Sequence, residues 1–263
     1  EPETICDSRL QLTAMQTAVQ LYSFRDLDWD LHRLLDRVAD TGVDGVEFAG
    51  FDDAPVGTVA DTLADCGLAA AGLHTGYEEL EDDFAECVSA AELVDADALV
   101  VPFLDDSHFE DETAVSTTAR HLSDLAVVLE GHDVDLWYHN HEHEFVDVPG
   151  TDRTAFECLA DWALDVQLEL DVGWAVAAGE DPVALLEEYG DQIPAVHLKD
   201  VVVDSAAERG GRPVELGEGD VPVEACARAA HRADVDWLIY EHDAPSDPLA
   251  SLERAGSVLS TVH

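Results

Sequence analysis

The sequence predicts an α/β protein, a single (β/α)8 barrel with parallel strands. Three observations predict it. Eight short apolar, β-branched runs recur along the 263 residues. Their starts fall about 31 residues apart on average, the size of one strand–helix unit. The length is close to the ~250 residues of such a barrel, and no shift in composition marks a second domain. One domain over 1–263 is therefore expected. A doubly wound open sheet is the rival, but it uses fewer strands, and no GxGxxG opens the first helix.

The runs are Thr17–Phe24, Gly45–Gly50, Ala69–Gly76, Ala98–Leu104, Val134–His141, Val166–Trp174, Ile193–Val201 and Trp237–Asp243. The segments between them read as helices. Leu31, Leu34, Leu35 and Val38 repeat at i, i+3, i+4 and i+7, the spacing of one apolar helix face. Gly42, Gly67, Gly131 and Gly190 stand where helices should stop. Asp181 is a good N-cap before Pro182, and Pro182 and Pro222 suit first helical turns. The last helix is expected from about Pro248 to Leu259.

Charge narrows the function. Twelve Lys and Arg face 59 Asp and Glu, a formal net charge of −47. A surface this negative repels the phosphates of nucleic acid and of anionic membranes. Disorder is excluded because 47% of residues are apolar and fall in regular blocks. Asp outnumbers Glu 35 to 24, and there is one lysine, Lys199. Molar salt shortens the Debye length to about 3 Å and screens such repulsion, so a halophile's protein is expected. Cys6, Cys66, Cys87, Cys158 and Cys226 are odd in number and widely spaced, which suits free thiols in a reducing cytosol. No apolar run approaches 18 residues and no signal-peptide pattern is present, so a cytoplasmic location is expected.

A barrel of this kind places its chemistry at the C-terminal ends of its strands. Strand ends five to eight all carry carboxylates or imidazoles: His139, Asn140, His141, Glu142 and Glu144; Glu169 and Asp171; His197, Lys199 and Asp200; Glu241, His242 and Asp243. Asp171, His197 and Glu241 sit at equivalent depth, one per strand. A mixed oxygen and nitrogen set without thiolate suits one divalent metal ion, Mn, Mg, Co or Zn. The fifth strand leaves its ligand open among Glu142, Glu144 and His139. Lys199 lies two residues from His197, on the same strand face, and is expected to neutralise an oxyanion or an anionic substrate group.

At these residues the sequence resembles the xylose-isomerase-like TIM barrels. That superfamily holds sugar and sugar-phosphate isomerases and epimerases, inosose dehydratases and endonuclease-IV-type enzymes. The carrying motifs are Tyr138-His139-Asn140-His141 with Glu144-Phe145, Leu170-Asp171-Val172-Gly173-Trp174, Val196-His197-Leu198-Lys199-Asp200, Leu216-Gly217-Glu218-Gly219-Asp220 and Tyr240-Glu241-His242-Asp243. They follow the family order and span essentially the whole chain. The resemblance implies a metal held by Glu144, Asp171, His197 and Glu241. Many relatives carry the fifth-strand Glu where this chain has His139.

The resemblance further implies a small-molecule sugar or sugar phosphate as substrate, and proton removal next to its carbonyl through an enediolate. The metal would stabilise that charge. Glu144 and Glu241 are the acid/base candidates, with Lys199 assisting. Glu47, His74, His139 and His141 are expected to hold hydroxyls, and Glu47 could instead hold His74. Isomerisation or epimerisation of a ketose is the first reading. Dehydration of a keto-inositol or keto-sugar shares its opening step. A phosphodiesterase or a non-catalytic sugar-binding barrel fits less well. Self-association into a homo-oligomer stays open.

Overall fold

The computed structural model describes residues 15–262. Eight parallel strands close a barrel: β1 Gln16–Gln20, β2 Gly45–Phe48, β3 Ala69–His74, β4 Ala98–Val101, β5 Asp135–His139, β6 Gln167–Asp171, β7 Ala195–Leu198 and β10 Trp237–Tyr240. The order around the barrel is β1-β10-β7-β6-β5-β4-β3-β2. Two further strands, β8 Asp200–Val203 and β9 Gly211–Val214, form an antiparallel hairpin outside it. The outer layer holds α1 Leu31–Ala39, α2 Val56–Cys66, α3 Tyr77–Asp82, α4 Phe84–Val94, α5 Glu112–Leu129, α6 Ala155–Trp162, α7 Val172–Ala178, α8 Pro182–Tyr189, α9 Val223–Arg232 and α10 Pro248–Val262.

The elements follow from local sequence. Asp30 caps α1 by accepting from the Arg33 amide, and Leu31, Leu34, Leu35 and Val38 bury the face the periodicity marks. Truncating a fully buried leucine such as Leu35 to Ala would cost about 2–5 kcal/mol. Asp181 caps α8 with Pro182 at its start. Pro222 stands one position earlier than expected, at the N-cap of α9. The last helix runs three residues past Leu259, to Val262.

Several strands are shorter than their apolar runs. After β1 the chain turns through a 3-10 helix, Leu21–Phe24. After β6 it enters α7 with no loop between. The run Ile193–Val201 divides, because β7 ends at Leu198 and Val201 belongs to the hairpin. Cys66 is half-buried, Cys87, Cys158 and Cys226 are buried, and all four are free. Cys6 lies outside the described residues.

Alternate residues of each strand point into the barrel. The lower interior is a packed apolar plug of Ala18, Ala71, Ala98, Val100, Trp137, Ala195, Trp237 and Ile239. The two indoles satisfy their N–H groups at its floor: Trp237 Nε1 donates to Asp97 Oδ2 at 2.6 Å and Trp137 Nε1 to Gln167 Oε1 at 2.9 Å. Above the plug the inward positions turn polar. Gln20, Glu47, His139, Glu169, Asp171, His197, Lys199 and Glu241 are all buried there. The plug fills the barrel interior beneath the polar layer.

Candidate metal centre and its cavity

His139, Asp171, His197 and Glu241 each place one donor atom so that the four lie within 4.8 Å of one another. They come from β5, β6, β7 and the residue after β10. Parallel register sets their level, since Asp171 pairs with His197 across β6 and β7. Asp171 is also the N-cap of α7: its Oδ1 accepts from the Trp174 amide at 2.9 Å, leaving Oδ2 for the centre. Asn140 clamps the same backbone, its Oδ1 accepting from the Asp171 amide at 3.0 Å.

A carboxylate layer lies beneath the imidazoles. Glu169 Oε2 is 2.8 Å from His139 Nδ1 and 3.1 Å from His197 Nε2. Glu47 Oε2 is 2.6 Å from His197 Nε2 and receives the Gln20 amide at 2.7 Å. His74 Nε2 stands 3.2 Å from Glu47 and 3.3 Å from Glu169. Gly72 makes room, because a Cβ there would come within 2.8 Å of Glu47 Oε1. The set His74, His139, Glu169 and His197 also clusters, with one donor atom from each within 4.8 Å of the others.

The charges of this layer are mutually dependent. Burial opposes protonation of His197, but Glu169, Glu47 and Glu241 overcome it and lift its pKa well above that of free imidazole. Burial likewise opposes His74, and Glu47 and Glu169 carry it up to about 9. Burial works against the Glu241 and Glu169 carboxylates, yet Lys199 and His197 hold Glu241 ionised, and His197 and His139 hold Glu169 ionised. Lys199 Nζ contacts Glu241 Oε2 at 2.8 Å and Asp171 Oδ2 and Asp243 Oδ1 at 3.0 Å each. These three acids are the lysine's ion-pair partners.

The donor set fits a divalent cation. It offers two imidazoles and two carboxylates with no thiolate. Oε1 of Glu47 and Oε1 of Glu169 are buried without a hydrogen-bond partner among the described residues, which marks negative charge in excess of its local partners.

A cavity of about 430 Å³ opens above this group. His74, His139, His141, Glu241, Asp243 and Arg209 wall it, with the half-exposed rings of Tyr22 and Phe103 beside them. Burial, and then His139, Lys199 and Arg209, push the His141 pKa far down, so its imidazole is neutral. Its Nδ1 has no hydrogen-bond partner among the described residues. Arg25 and Arg212 are occupied elsewhere, Arg25 on the carbonyls of Tyr22 and Asp243, Arg212 on Asp204.

Two expected site residues are placed differently. Glu144 is fully buried, but in the layer outside the barrel wall. The chain leaves β5 at His139, and the 3-10 turn His143–Phe145 folds Glu144 back against the strand. Its Oε1 takes the Tyr138 hydroxyl and its Oε2 the His141 amide at 2.8 Å. Tyr138 alternates with His139 and so faces the helices. Glu144 therefore stands outside the four-donor group, and His139 occupies the fifth-strand corner. Glu142 also stays out of the group, 3.9 Å from Arg209. Glu47 does not line the cavity: it lies fully buried under His74 and His197, where it can orient imidazoles but not meet a hydroxyl. His74, His139 and His141 do reach the cavity.

The xylose isomerase-like TIM barrel family model matches residues 35–260. The chain belongs to that family. It is 28% identical over 142 residues to an inosose dehydratase of Clostridium beijerinckii, a match covering 49% of this chain and 47% of that protein. The chain thus spans about half the length of that curated relative. Its fold resembles a sugar phosphate isomerase/epimerase from Parabacteroides distasonis, with a TM-score of 0.76, 20% identity and 98% coverage of both chains. It also resembles the IolI protein with a bound zinc atom, at TM-score 0.77, 16% identity, and 94% and 98% coverage. A probable 3-DHS dehydratase of Bacillus anthracis has TM-score 0.76, 14% identity, and 95% and 100% coverage.

Proposed function

We propose that the protein is a divalent-metal-dependent enzyme that removes a proton next to the carbonyl of a small polyhydroxylated ketone. The observation that carries this reading is the four-donor group of His139, Asp171, His197 and Glu241, two of whose members, His139 and Glu241, line the cavity. A divalent cation bound there would supply Lewis acidity for charge developing on substrate oxygen. Glu241, held ionised by Lys199 and His197, is the cavity carboxylate placed to accept a proton. The Lys199 ammonium offers a compact positive charge for the oxyanion. His74 and the neutral His141 are the groups that would bind hydroxyls.

Isomerisation or epimerisation of a ketose is the first product class. Dehydration of a keto-inositol or keto-sugar is the second reading, and the placement of Glu144 favours it. Epimerisation through two carboxylates needs one on each side of the substrate, and Glu144 is held outside the cavity. Elimination needs a base for the carbon-bound proton and an acid for the leaving hydroxyl. An unphosphorylated substrate is favoured, because Arg209 shares the cavity with Glu79, Glu241 and Asp243. A phosphate dianion would meet more carboxylates than free cations there. Among the described residues no helix is long and apolar enough to cross a membrane. The charge supports a salt-rich cytoplasm as the setting.

The deciding experiment is NMR in D2O with Mn-, Mg-, Co- or Zn-loaded protein in molar KCl. Ketoses, ketose phosphates and keto-inositols are the substrates. Deuterium should enter at the carbon next to the carbonyl, and the product spectrum separates rearranged sugar from dehydrated ketone. No exchange with any metal or ketone would overturn the reading.

A further inference from the structure

The ammonium of Lys199 and a divalent cation would draw on the same oxygens. Asp171 and Glu241 supply half of the four-donor group, and Lys199 Nζ lies 3.0 Å from Asp171 Oδ2 and 2.8 Å from Glu241 Oε2. Two cations sharing two carboxylates at this range repel each other strongly in a buried setting. The ammonium has one more partner. Asp243 Oδ1 is 3.0 Å away, and Asp243 is not part of the donor group. Its Oδ2 is buried without a hydrogen-bond partner among the described residues, although the side chain is 25% exposed and lines the cavity. The lysine stem is fixed. A Cβ at Gly173 would lie 2.9 Å from Lys199 Cγ and 3.0 Å from its Cβ, so the α7 backbone packs directly on it. The Trp174 ring lies 4.9 Å from Nζ. Only the head of the side chain is free to choose among three carboxylates.

We propose that Lys199 has two positions selected by the metal. In the metal-free protein its ammonium neutralises Asp171 and Glu241. When a divalent cation takes those carboxylates, the ammonium is retained by Asp243 alone, at the cavity wall. Asp243 is thus a positioning residue that acts through Lys199. Without it, the cation would have to displace an ammonium left with no counter-charge, and breaking a buried pair in that way is costly. The arrangement couples metal uptake to the release of a positive charge toward substrate. The inference rests on the metal reading above.

The chain has one lysine, so 13Cε-lysine labelling gives a single lysine signal from the intact protein. The probe is Zn2+, which is diamagnetic, with bound zinc measured in parallel by elemental analysis. The signal should move to a new position and saturate with one zinc per chain. Asp243→Asn should weaken zinc binding by up to about fivefold, the scale for a partly exposed charge. In a Lys199→Met background the same change should leave zinc affinity within about twofold, because no ammonium remains to be held. Zinc binding with an unmoved lysine signal would overturn the inference. So would an equal loss of affinity from Asp243→Asn in both backgrounds. Absence of zinc binding would refute the metal site itself, and the inference with it. If Lys199→Met does not fold, the wild-type titration decides alone.

Discussion

Oε2 of Glu169 lies 2.8 Å from Nδ1 of His139, and this contact decides which nitrogen of His139 faces Asp171. A proton held between Nδ1 and the carboxylate leaves Nε2 as a lone-pair donor, 3.8 Å from Asp171 Oδ2. The same oxygen reaches His197 Nε2 at 3.1 Å, beside Glu47 Oε2 at 2.6 Å, so Glu169 touches both imidazoles. Glu169→Gln keeps the shape and removes the charge. It should weaken metal binding by about 10- to 100-fold, measured by competition with a chelator. Unchanged affinity would show that Glu169 only fills space.

Elemental analysis after dialysis against Mn should find about one metal per chain, as a single four-donor group implies. His139→Ala, Asp171→Ala and His197→Ala should each abolish it. Glu144→Gln should keep the metal but lose stability, because Glu144 is committed to Tyr138 and the His141 amide. Disturbing a buried hydrogen-bonded group of this kind costs about 1–3 kcal/mol. Loss of metal in Glu144→Gln with ligands otherwise intact would restore the fifth-strand role to Glu144.

Lys199→Met should lower turnover about 10²- to 10³-fold with little change in KM, the scale for removing one donor used mainly in the transition state. It should also destabilise the metal-free protein, because Asp171, Glu241 and Asp243 lose their shared cation. Lys199→Arg should not fully rescue turnover, since a planar fork is not a compact point charge. Full turnover combined with lost stability would reduce Lys199 to an ion-pair partner.

The net charge of −47 predicts a melting temperature that climbs steeply with KCl up to ~2 M. Screening of self-repulsion is the cause. A flat curve in a thermal-shift series against KCl would refute adaptation to salt.

At the floor of the barrel Asp97, Asp135 and Asp236 all have carboxyl pKa values raised, first by desolvation; for Asp97 the Trp237 N–H opposes this, and for Asp236 its neighbours Asp135 and Asp234 add to it. A carboxyl with a raised pKa binds its proton more tightly in the folded chain. Its stabilising contribution is present below the unfolded pKa and lost as pH rises through the folded one. Lowering the pH from neutrality toward that window should therefore raise the melting temperature at low salt. Asp236→Asn should raise it at pH 7 and flatten the dependence. The effect should be small, because all three residues remain in contact with solvent.

The barrel was legible because the two periodicities it depends on are both in the sequence. Leu31 to Val38 read as a helix face, and the strand parity that puts His139 inside puts Tyr138 outside. The centre was partly legible. Asp171, His197 and Glu241 meet because each lies within one residue of a strand's C-terminal end, and strand ends can be located from apolar runs. Glu144 misled because β5 stops at His139, and parity has no force once the 3-10 turn begins. Glu169 and Asp243 were both visible as charged strand-end residues, but not in their roles: alternation with Asp171 on one face of β6 points Glu169 inward, whereas the tie of Asp243 to Lys199 depends on how the chain runs after β10. The hairpin β8–β9, which carries the chain out to Arg209 at the cavity, was not legible, because its first residues, Asp200 and Val201, close an apolar run that reads as one strand.

Asp171 ends a strand, starts a helix and faces the four-donor group with a single carboxylate. Because the Trp174 amide fixes Oδ1, the orientation of Oδ2 is decided when α7 forms, before any ion arrives. An asparagine at 171 could still accept that amide, so Asp171→Asn would leave the scaffold intact and remove only the charge. Shape and charge at this corner are therefore separable, and a lineage could lose the proposed metal chemistry here in one step while keeping a folded barrel with its cavity intact.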